Sequence, residues 1–386
     1  MKIIGATCFA LKIPFVEAFG HSASVRSRSD SVVLRLIAED GTAGYGEGLP
    51  RPYVTGETVE TCVDRIANCL WPAIADSDFG ALEPGPDAVR TLEPVARTLP
   101  DGDDDGVVAW HAARAACELA LLDVLLRRQK QSLGEILRPR RGSVTYSGVI
   151  TSGSIDNAVR LARVCVEYGL QAVKVKIDGD DARDRVAAVR KAVGPSVSLR
   201  VDANCAYTPD EAVSTLEALA PFDVVCAEQP IPRGDPAVLA NVRSRSPIPI
   251  MADESLVTTA DAEALIQAGA CDFFNLRVSK CGGLARTLEI ARMADRAGVR
   301  LQLGCQVGES AILSAAGRHM AAHLDGVSFV EGSYGNMLLV EDVSEESVAF
   351  GQGGTAPLLG GPGLGVDVRD DVLRAHAEST TTLSAG

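Results

Sequence analysis

From residue 144 onward one unit recurs eight times: a short β-branched or apolar run, a segment with apolar residues at helical spacing, then a glycine or proline. The runs are VTYSGVI (144–150), AVKVKI (172–177), SLRVDAN (198–204), VVCAEQP (224–230), PIMADES (249–255), DFFNLRVS (272–279), RLQLGCQVG (300–308) and VSFVEGS (327–333). Parallel strands need a crossover of a dozen residues or more, usually a helix, and intervals of about 22–28 residues leave room for one each time. Eight such units close into a (β/α)8 TIM barrel, with strands apolar enough to be covered on both faces. An open, doubly wound sheet would usually carry a Gly-rich phosphate loop after its first strand, and ITSGSID lacks G-x-G-x-x-G. Thr208-Pro209-Asp210-Glu211 opens one helix with Pro at its first position and Glu three residues after Thr; Thr258…Asp261 is a weaker version.

The first 130 residues follow another pattern. MKIIGATCFALKI, SVVLRLIAED and GTAGYGEG predict a three-stranded antiparallel meander, with Asp40-Gly41 as a hairpin turn. Helices are expected over 57–72 and 107–128, so an α+β domain (1–130) precedes the barrel (131–350). The segment from 351 to 386 is Gly- and Pro-rich; no helix follows GGPGLGVDV, so a closing strand and turn are expected there, not a phosphate loop. Its last ten residues, AESTTTLSAG, are expected to be disordered.

With 51 acidic and 37 basic residues the net charge is −14, which argues against nucleic acid or an anionic membrane as partner while leaving room for a local basic pocket. Ten cysteines lie scattered in apolar stretches with no C-x-x-C, as small buried hydrophobes in a reducing compartment. Lys12 interrupts the apolar N-terminal run, which reads as a strand and not a signal peptide. No stretch reaches the roughly 18 uncharged apolar residues that span a bilayer. The expected location is the cytoplasm.

In a barrel the active site lies at the carboxyl ends of the strands. Those ends supply Lys174 and Lys176, Asp202 and Asn204, Glu228, Asp253 and Glu254, and Lys280. The two-residue period of a strand sends both Lys174 and Lys176 into the interior. Unpaired charges there would cost several kcal/mol, so they must compensate one another or bind something. Asp202, Glu228 and Asp253, spaced 26 and 25 residues apart on successive strands, are expected to converge on one point. Oxygen ligands of that kind suit a hard divalent cation, Mg²⁺ first and Mn²⁺ as the alternative. A lysine beside a cation and a second lysine is expected to have a lowered pKa, which suits a base near neutral pH.

The K-V-K run, the carboxylates within VDAN, AEQP and ADES, and VSKCGG around Lys280 together resemble the enolase superfamily. The closest match is its muconate-lactonizing-enzyme (mandelate racemase/muconate cycloisomerase) subgroup, which has a lysine on each side of the site. The resemblance covers nearly the whole chain. It implies an N-terminal α+β capping domain, a C-terminal segment that returns to the cap, and a homo-oligomer by analogy. For chemistry it implies a metal-dependent isomerase whose substrate is a small-molecule carboxylate. A lysine removes the proton α to that carboxylate, leaving an enediolate stabilised by Mg²⁺. By the same analogy Lys176 and Lys280 are the acid/base pair on opposite faces, and Lys174 binds the substrate carboxylate. Asp202, Glu228 and Asp253 ligate the metal, with Asn204 and Glu254 orienting ligands or lysines.

The subgroup holds cycloisomerases, dipeptide epimerases, N-acylamino acid racemases and a dehydratase, and the shared core does not choose among them. Candidate substrate contacts are His21, Arg26, Arg28 and Tyr53 in the cap loops, Gln306 and Glu309 after the seventh strand, and Glu331 after the eighth. Dipeptide epimerases of the subgroup carry Asp-x-Asp where this chain has Glu331-Gly332-Ser333. That departure makes a cycloisomerase the first expectation, with a dipeptide epimerase or N-acylamino acid racemase as the alternative. The non-catalytic alternative is a retired barrel acting as a binding protein. His319…His323 has the spacing of a zinc helix but no Glu to act as base, and the calcium-like run from Asp101 has Ala112 where a bidentate Glu is needed.

Overall fold

The computed structural model describes residues 1–385 apart from 22–23, 103–106, 152 and 180; side chains at 18–21, 24 and 25 are also left aside. The acidic loop after Asp101 therefore lies partly outside the described residues, as does the side chain of His21. The chain opens with β1 (Ile3–Leu11), the hairpin β2 (Pro14–His21) and β3 (Ser24–Arg28), then β4 (Ser31–Ala38) and β5 (Ala43–Gly48). A helical run follows: α1 (Val59–Arg65) passes through a π turn into α2 (Trp71–Ala75), and then come α3 (Ala88–Thr98), which sequence reading missed, and α4 (His111–Gln129).

Nearly every residue of α4 is buried, because it lies between the cap sheet and the barrel. The sequence permits this approach at β5. A Cβ on Gly46 would stand 2.0 Å from the Ala116 carbonyl oxygen, and one on Gly48 would stand 2.0 Å from that of Ala112. Alternate glycines on the strand thus meet alanines on the helix, backbone against backbone.

The barrel begins after α5 (Leu133–Ile136). The expected first strand is split: β6 (Ser143–Thr145) turns away, and only β7 (Gly148–Ile150) joins the barrel. The chain then alternates α6 (Ile155–Glu167), β8 (Ala172–Lys176), α7 (Ala182–Val193), β9 (Ser198–Asp202), α8 (Pro209–Leu219), β10 (Val224–Glu228), α9 (Pro236–Arg245) and β11 (Ile250–Ala252). It continues through α10 (Thr259–Ala268), β12 (Phe273–Leu276), α11 (Leu284–Ala297), β13 (Arg300–Leu303), α12 (Ala311–His323) and β14 (Val327–Val330). Strands β7 to β14 form one eight-stranded sheet in sequence order, its paired neighbours parallel. Ser147 N–H donates to the Val330 carbonyl at 2.8 Å, joining the first and last strands.

The tail supplies β15 (Thr355–Pro357), α13 (Asp370–His376) and β16 (Ala377–Ser384). β15 pairs with β6, which accounts for the split, and Tyr146 N–H donates to Gly354 O at 2.8 Å. The expected disorder does not hold for 377–384: β16 runs antiparallel along β1, giving a cap sheet of order β16-β1-β4-β5. Thr380, Thr381 and Thr382 are β-branched, and β1 would otherwise leave an unpaired edge. No described helix is long and apolar enough to cross a membrane, and all ten cysteines are free.

Buried cap carboxylates dock on barrel helices. Glu47 accepts from Ser310 N–H (3.1 Å), Ser310 Oγ (2.6 Å) and Leu313 N–H (3.1 Å) at the start of α12, and Glu118 accepts from Ala285 N–H (3.0 Å) at the start of α11. Both use the unpaired amides of a helix N-terminus. Burial nonetheless pushes Glu47 from its ordinary value near 4.5 up to about 7, despite those bonds to Ser310 and Leu313. A carboxyl whose pKa is raised on folding is favoured protonated, so its contribution to stability falls as pH rises from about 4.5 through 7. Glu47→Gln removes that titration. Measured by denaturant unfolding, the variant should gain on the wild type by up to roughly 3 kcal/mol between pH 4.5 and 8; a difference flat with pH would refute the assignment.

Candidate active site

Strand register brings the charged residues together. Lys176 of β8 pairs with Asp202 of β9, and Asp202 pairs with Glu228 of β10, so three strand ends lie in one row. Asp253 follows β11 directly, and Lys280 sits in the turn after β12. Lys174, Lys176, Asp202, Glu228, Asp253 and Lys280 are all at most 7% exposed. Valines alternate with the lysines in β8 and point to the opposite face.

The contacts form a chain of opposite charges. Lys176 Nζ is 2.5 Å from Asp202 Oδ2 and 2.6 Å from Asn204 Oδ1. Lys174 Nζ donates to Glu228 (3.0 Å) and Glu331 (2.7 Å) and is 3.4 Å from Asp202. Lys280 Nζ has three acceptors at 2.8 Å: Asp253 Oδ1, the Asp253 carbonyl and the Asn275 carbonyl. Arg277 bridges Glu228, at 3.4 Å, and Asp253. Five carboxyl groups (Asp202, Glu228, Asp253, Glu254, Glu331) thus meet five cationic side chains (Lys174, Lys176, Arg200, Arg277, Lys280).

The charges shift one another in the directions this geometry requires. Burial works to raise the Glu228 carboxyl, but Lys174 and Arg277 outweigh it and hold it well below the usual range. Burial also works to lower Lys174, yet Glu228, Glu331 and Asp202 raise it well above its ordinary value. Lys174 is thus held charged by the carboxylates around it. Glu254 is pushed up to about 8, first by burial and then by Asp253 and Asp202.

Of the other sequence candidates, Tyr53, Asn204, Glu254, Gln306 and Glu331 line a tight cleft of about 40 Å³ with Lys174, Lys176 and Arg277. Asn204 joins Lys176 to Glu254, donating to Glu254 Oε1 at 3.0 Å. Glu331 is taken up by Lys174 and by Arg200 (2.8 Å). Glu309 does not line the cleft; it accepts from Gln306 N–H at 2.6 Å. His319 and His323 face the carbonyls of Leu364 and Arg138, not each other. A roomier groove elsewhere is built wholly from cap residues and touches none of these charges.

Sequence reading missed four groups. Arg277 is one. Asn275 and Gln302, paired in register on β12 and β13, both donate to Glu228, at 2.9 and 3.1 Å. Gln229, at φ 37°, accepts from Asp253 and Ser255 N–H and so fixes the turn after β11. From the cap, Ser279 Oγ accepts from Leu49 N–H at 2.8 Å, and the His111 ring meets the Lys280 carbonyl at 2.7 Å. These two contacts clamp the turn that carries Lys280.

Among the described residues no three His, Cys, Asp or Glu groups stand in metal-holding geometry. The three carboxylates stand in a row whose gaps are bridged by ammonium and guanidinium groups. Carboxylates buried this close repel, and Lys174 and Arg277 fold in to offset the repulsion. The donor chemistry fits a hard dication: three carboxylates that offer oxygen donors only.

A family model described as enolase C-terminal domain-like matches residues 157–372. The chain belongs to the enolase superfamily. It is 26% identical over 380 residues to the N-succinyl-L-Arg/Lys racemase of Bacillus cereus, covering 97% of each. It is 32% identical over 328 residues to a hydrophobic dipeptide epimerase of Enterococcus faecalis, covering 83% of this chain and 87% of the relative. A dipeptide epimerase structure from the same organism, complexed with Mg and L-Leu-L-Tyr, superimposes with a TM-score of 0.82 at 27% identity, over 95% of this chain and all of that one. The 2-chloromuconate cycloisomerase of Rhodococcus opacus superimposes with a TM-score of 0.87 at 28% identity, over 98% and 100% of the chains. This enolase-superfamily chain is an isomerase with a capped TIM barrel. The curated relatives favour racemisation or epimerisation over the cycloisomerisation expected first.

If the row holds Mg²⁺, adding the ion at roughly 100 times its Kd should stabilise the protein by about 2.7 kcal/mol. Thermal unfolding with and without chelator should show that gain in the wild type and its loss in Glu228→Gln. A Glu228→Gln variant stabilised as much as the wild type would contradict the fit.

Proposed function

We propose that this protein inverts the configuration of the carbon next to a carboxylate in an amino acid whose nitrogen is already acylated. The observation that carries the proposal is the placement of two lysines at the two ends of one carboxylate row. Lys176 is bonded to Asp202 and Lys280 to Asp253. A substrate lying across the row would present one face to each amine.

Asp202, Glu228 and Asp253 would hold Mg²⁺, with Mn²⁺ as the alternative. When bound, the ion supplies positive charge against the second negative charge that develops on the substrate carboxylate. The chain's own groups do the rest. One lysine takes the α-proton, its partner delivers a proton to the opposite face, and the configuration inverts. Asn204 and the carbonyls of Asp253 and Asn275 orient the two amines. Lys174 serves Glu228 and Glu331 as a counter-charge, and Arg277 adds a second cation at the cleft wall. The cap contacts to Ser279 and to the Lys280 carbonyl hold the turn that carries the second amine.

Glu331 favours an acylated nitrogen over a free ammonium. Both of its oxygens are held by cations, Lys174 and Arg200, leaving little negative charge to attract another. N-acylamino acids such as N-succinyl derivatives are therefore the first substrates to test, followed by dipeptides.

The experiment is incubation in D₂O with Mg²⁺, followed by NMR of the α-hydrogen and by polarimetry. The expected result is loss of the α-hydrogen signal together with decay of optical rotation to zero. A ring-closed product from muconate-like diacids without α-exchange would establish the cycloisomerase instead. No turnover across all three substrate classes would favour the binding-protein alternative.

A further inference from the structure

The cleft has two unlike walls. One is cationic, built from Lys174, Lys176 and Arg277. The other, around the ends of β13 and β14, carries two neutral polar groups with no partner beside Glu331, whose charge Lys174 and Arg200 take up. Gln306 is 2% exposed, yet neither its Oε1 nor its Nε2 makes a hydrogen bond, and the Tyr334 hydroxyl is likewise buried and unpaired. A buried polar group left this way is costly until something pairs with it.

The backbone at this point is fixed. Gln306 N–H donates to Glu309 Oε1 at 2.6 Å, and the Gln306 carbonyl accepts from Glu309 N–H at 3.1 Å. The Tyr334 ring packs edge-on against Phe350, with centroids 5.9 Å apart. A side-chain carboxamide held by its backbone and facing a cleft offers one acceptor and two donors. Its natural complement is a second amide, which offers one N–H and one C=O.

The proposed reaction places such a group next to the reacting carbon. With the substrate carboxylate on the cationic wall, the acylated nitrogen extends toward the neutral one. We infer that Gln306 reads the substrate's amide, its Oε1 accepting from the substrate N–H and its Nε2 donating to the acyl oxygen, with the Tyr334 hydroxyl as a second donor. This inference rests on the reading of the protein as a racemase or epimerase of N-acylated substrates. It makes Gln306 a specificity-determining residue, distinct from the lysines that move protons.

The test compares an N-acylamino acid with its 2-acyloxy acid isostere, in which oxygen replaces the amide N–H. The intrinsic acidity of the two α-protons differs, so the informative quantity is how their kcat/KM ratio changes between variants. Gln306→Leu should shrink the wild-type preference for the amide by at least about tenfold, chiefly through KM. Gln306→Glu keeps the acceptor and should keep the preference while weakening both substrates; it also serves if the leucine variant fails to fold. An unchanged ratio in Gln306→Leu, or a lost one in Gln306→Glu, overturns the inference while leaving the racemase reading intact. If wild-type protein exchanges the α-hydrogen of neither compound, the racemase reading fails and takes this inference with it.

Discussion

Five carboxyl groups and five cationic side chains share the carboxyl end of one barrel, nearly all out of reach of water. Removing a single member would leave an uncompensated buried charge, which costs several kcal/mol. Each member therefore compensates the charge of its neighbours. The cations of this network are ordered along the row: Lys176 at one end, Lys174 and Arg277 at the gaps, Lys280 at the other end. A dication entering such a network adds two positive charges. Under the proposed function, an incoming carboxylate and one lysine acting as a neutral base would restore the count, so metal, substrate and proton transfer would be coupled by electroneutrality.

The scaffold serves this network by rigidity. Parallel pairing fixes Lys176, Asp202 and Glu228 in one register row. Gln229 ties the turn after β10 to the turn that carries Asp253. The cap contributes as a clamp, and it can do so because glycines in β5 let α4 approach within backbone contact. From that position Leu49 and His111 hold the Ser279-Lys280 turn. Under the proposed function, misplacing the Lys280 amine by about 1 Å would cost a large part of the rate.

Much of this was legible in the sequence, for definite reasons. Lys174-Val175-Lys176 declares itself because a two-residue period inside an apolar strand has one meaning, and Asp202, Glu228 and Asp253 stand out as acids at the ends of buried strands. Asn275 and Gln302 left the same signal, lone amides within F-F-N-L and R-L-Q-L, which the search for charges passed over. Arg277 was hidden because it lies within the sixth apolar run, three residues before a lysine that drew the attention. Gln229 leaves no sequence signal, since its function depends on a positive φ and on two amides from another strand. The C-terminal β16 was misread for a related reason: its threonines suit a strand, but the partner edge on β1 lies almost the whole chain away. Local pattern revealed the charges; long-range pairing decided what supports them.

The proposed inversion requires two amines acting from opposite faces. Lys176→Ala and Lys280→Ala, each given the separate enantiomers of an N-acylamino acid in D₂O, test that directly. Each variant should lose racemisation yet still exchange the α-hydrogen of one enantiomer with retained configuration, and the enantiomer should differ between the two variants. Exchange of the same enantiomer by both variants, or of both enantiomers by either, would contradict it.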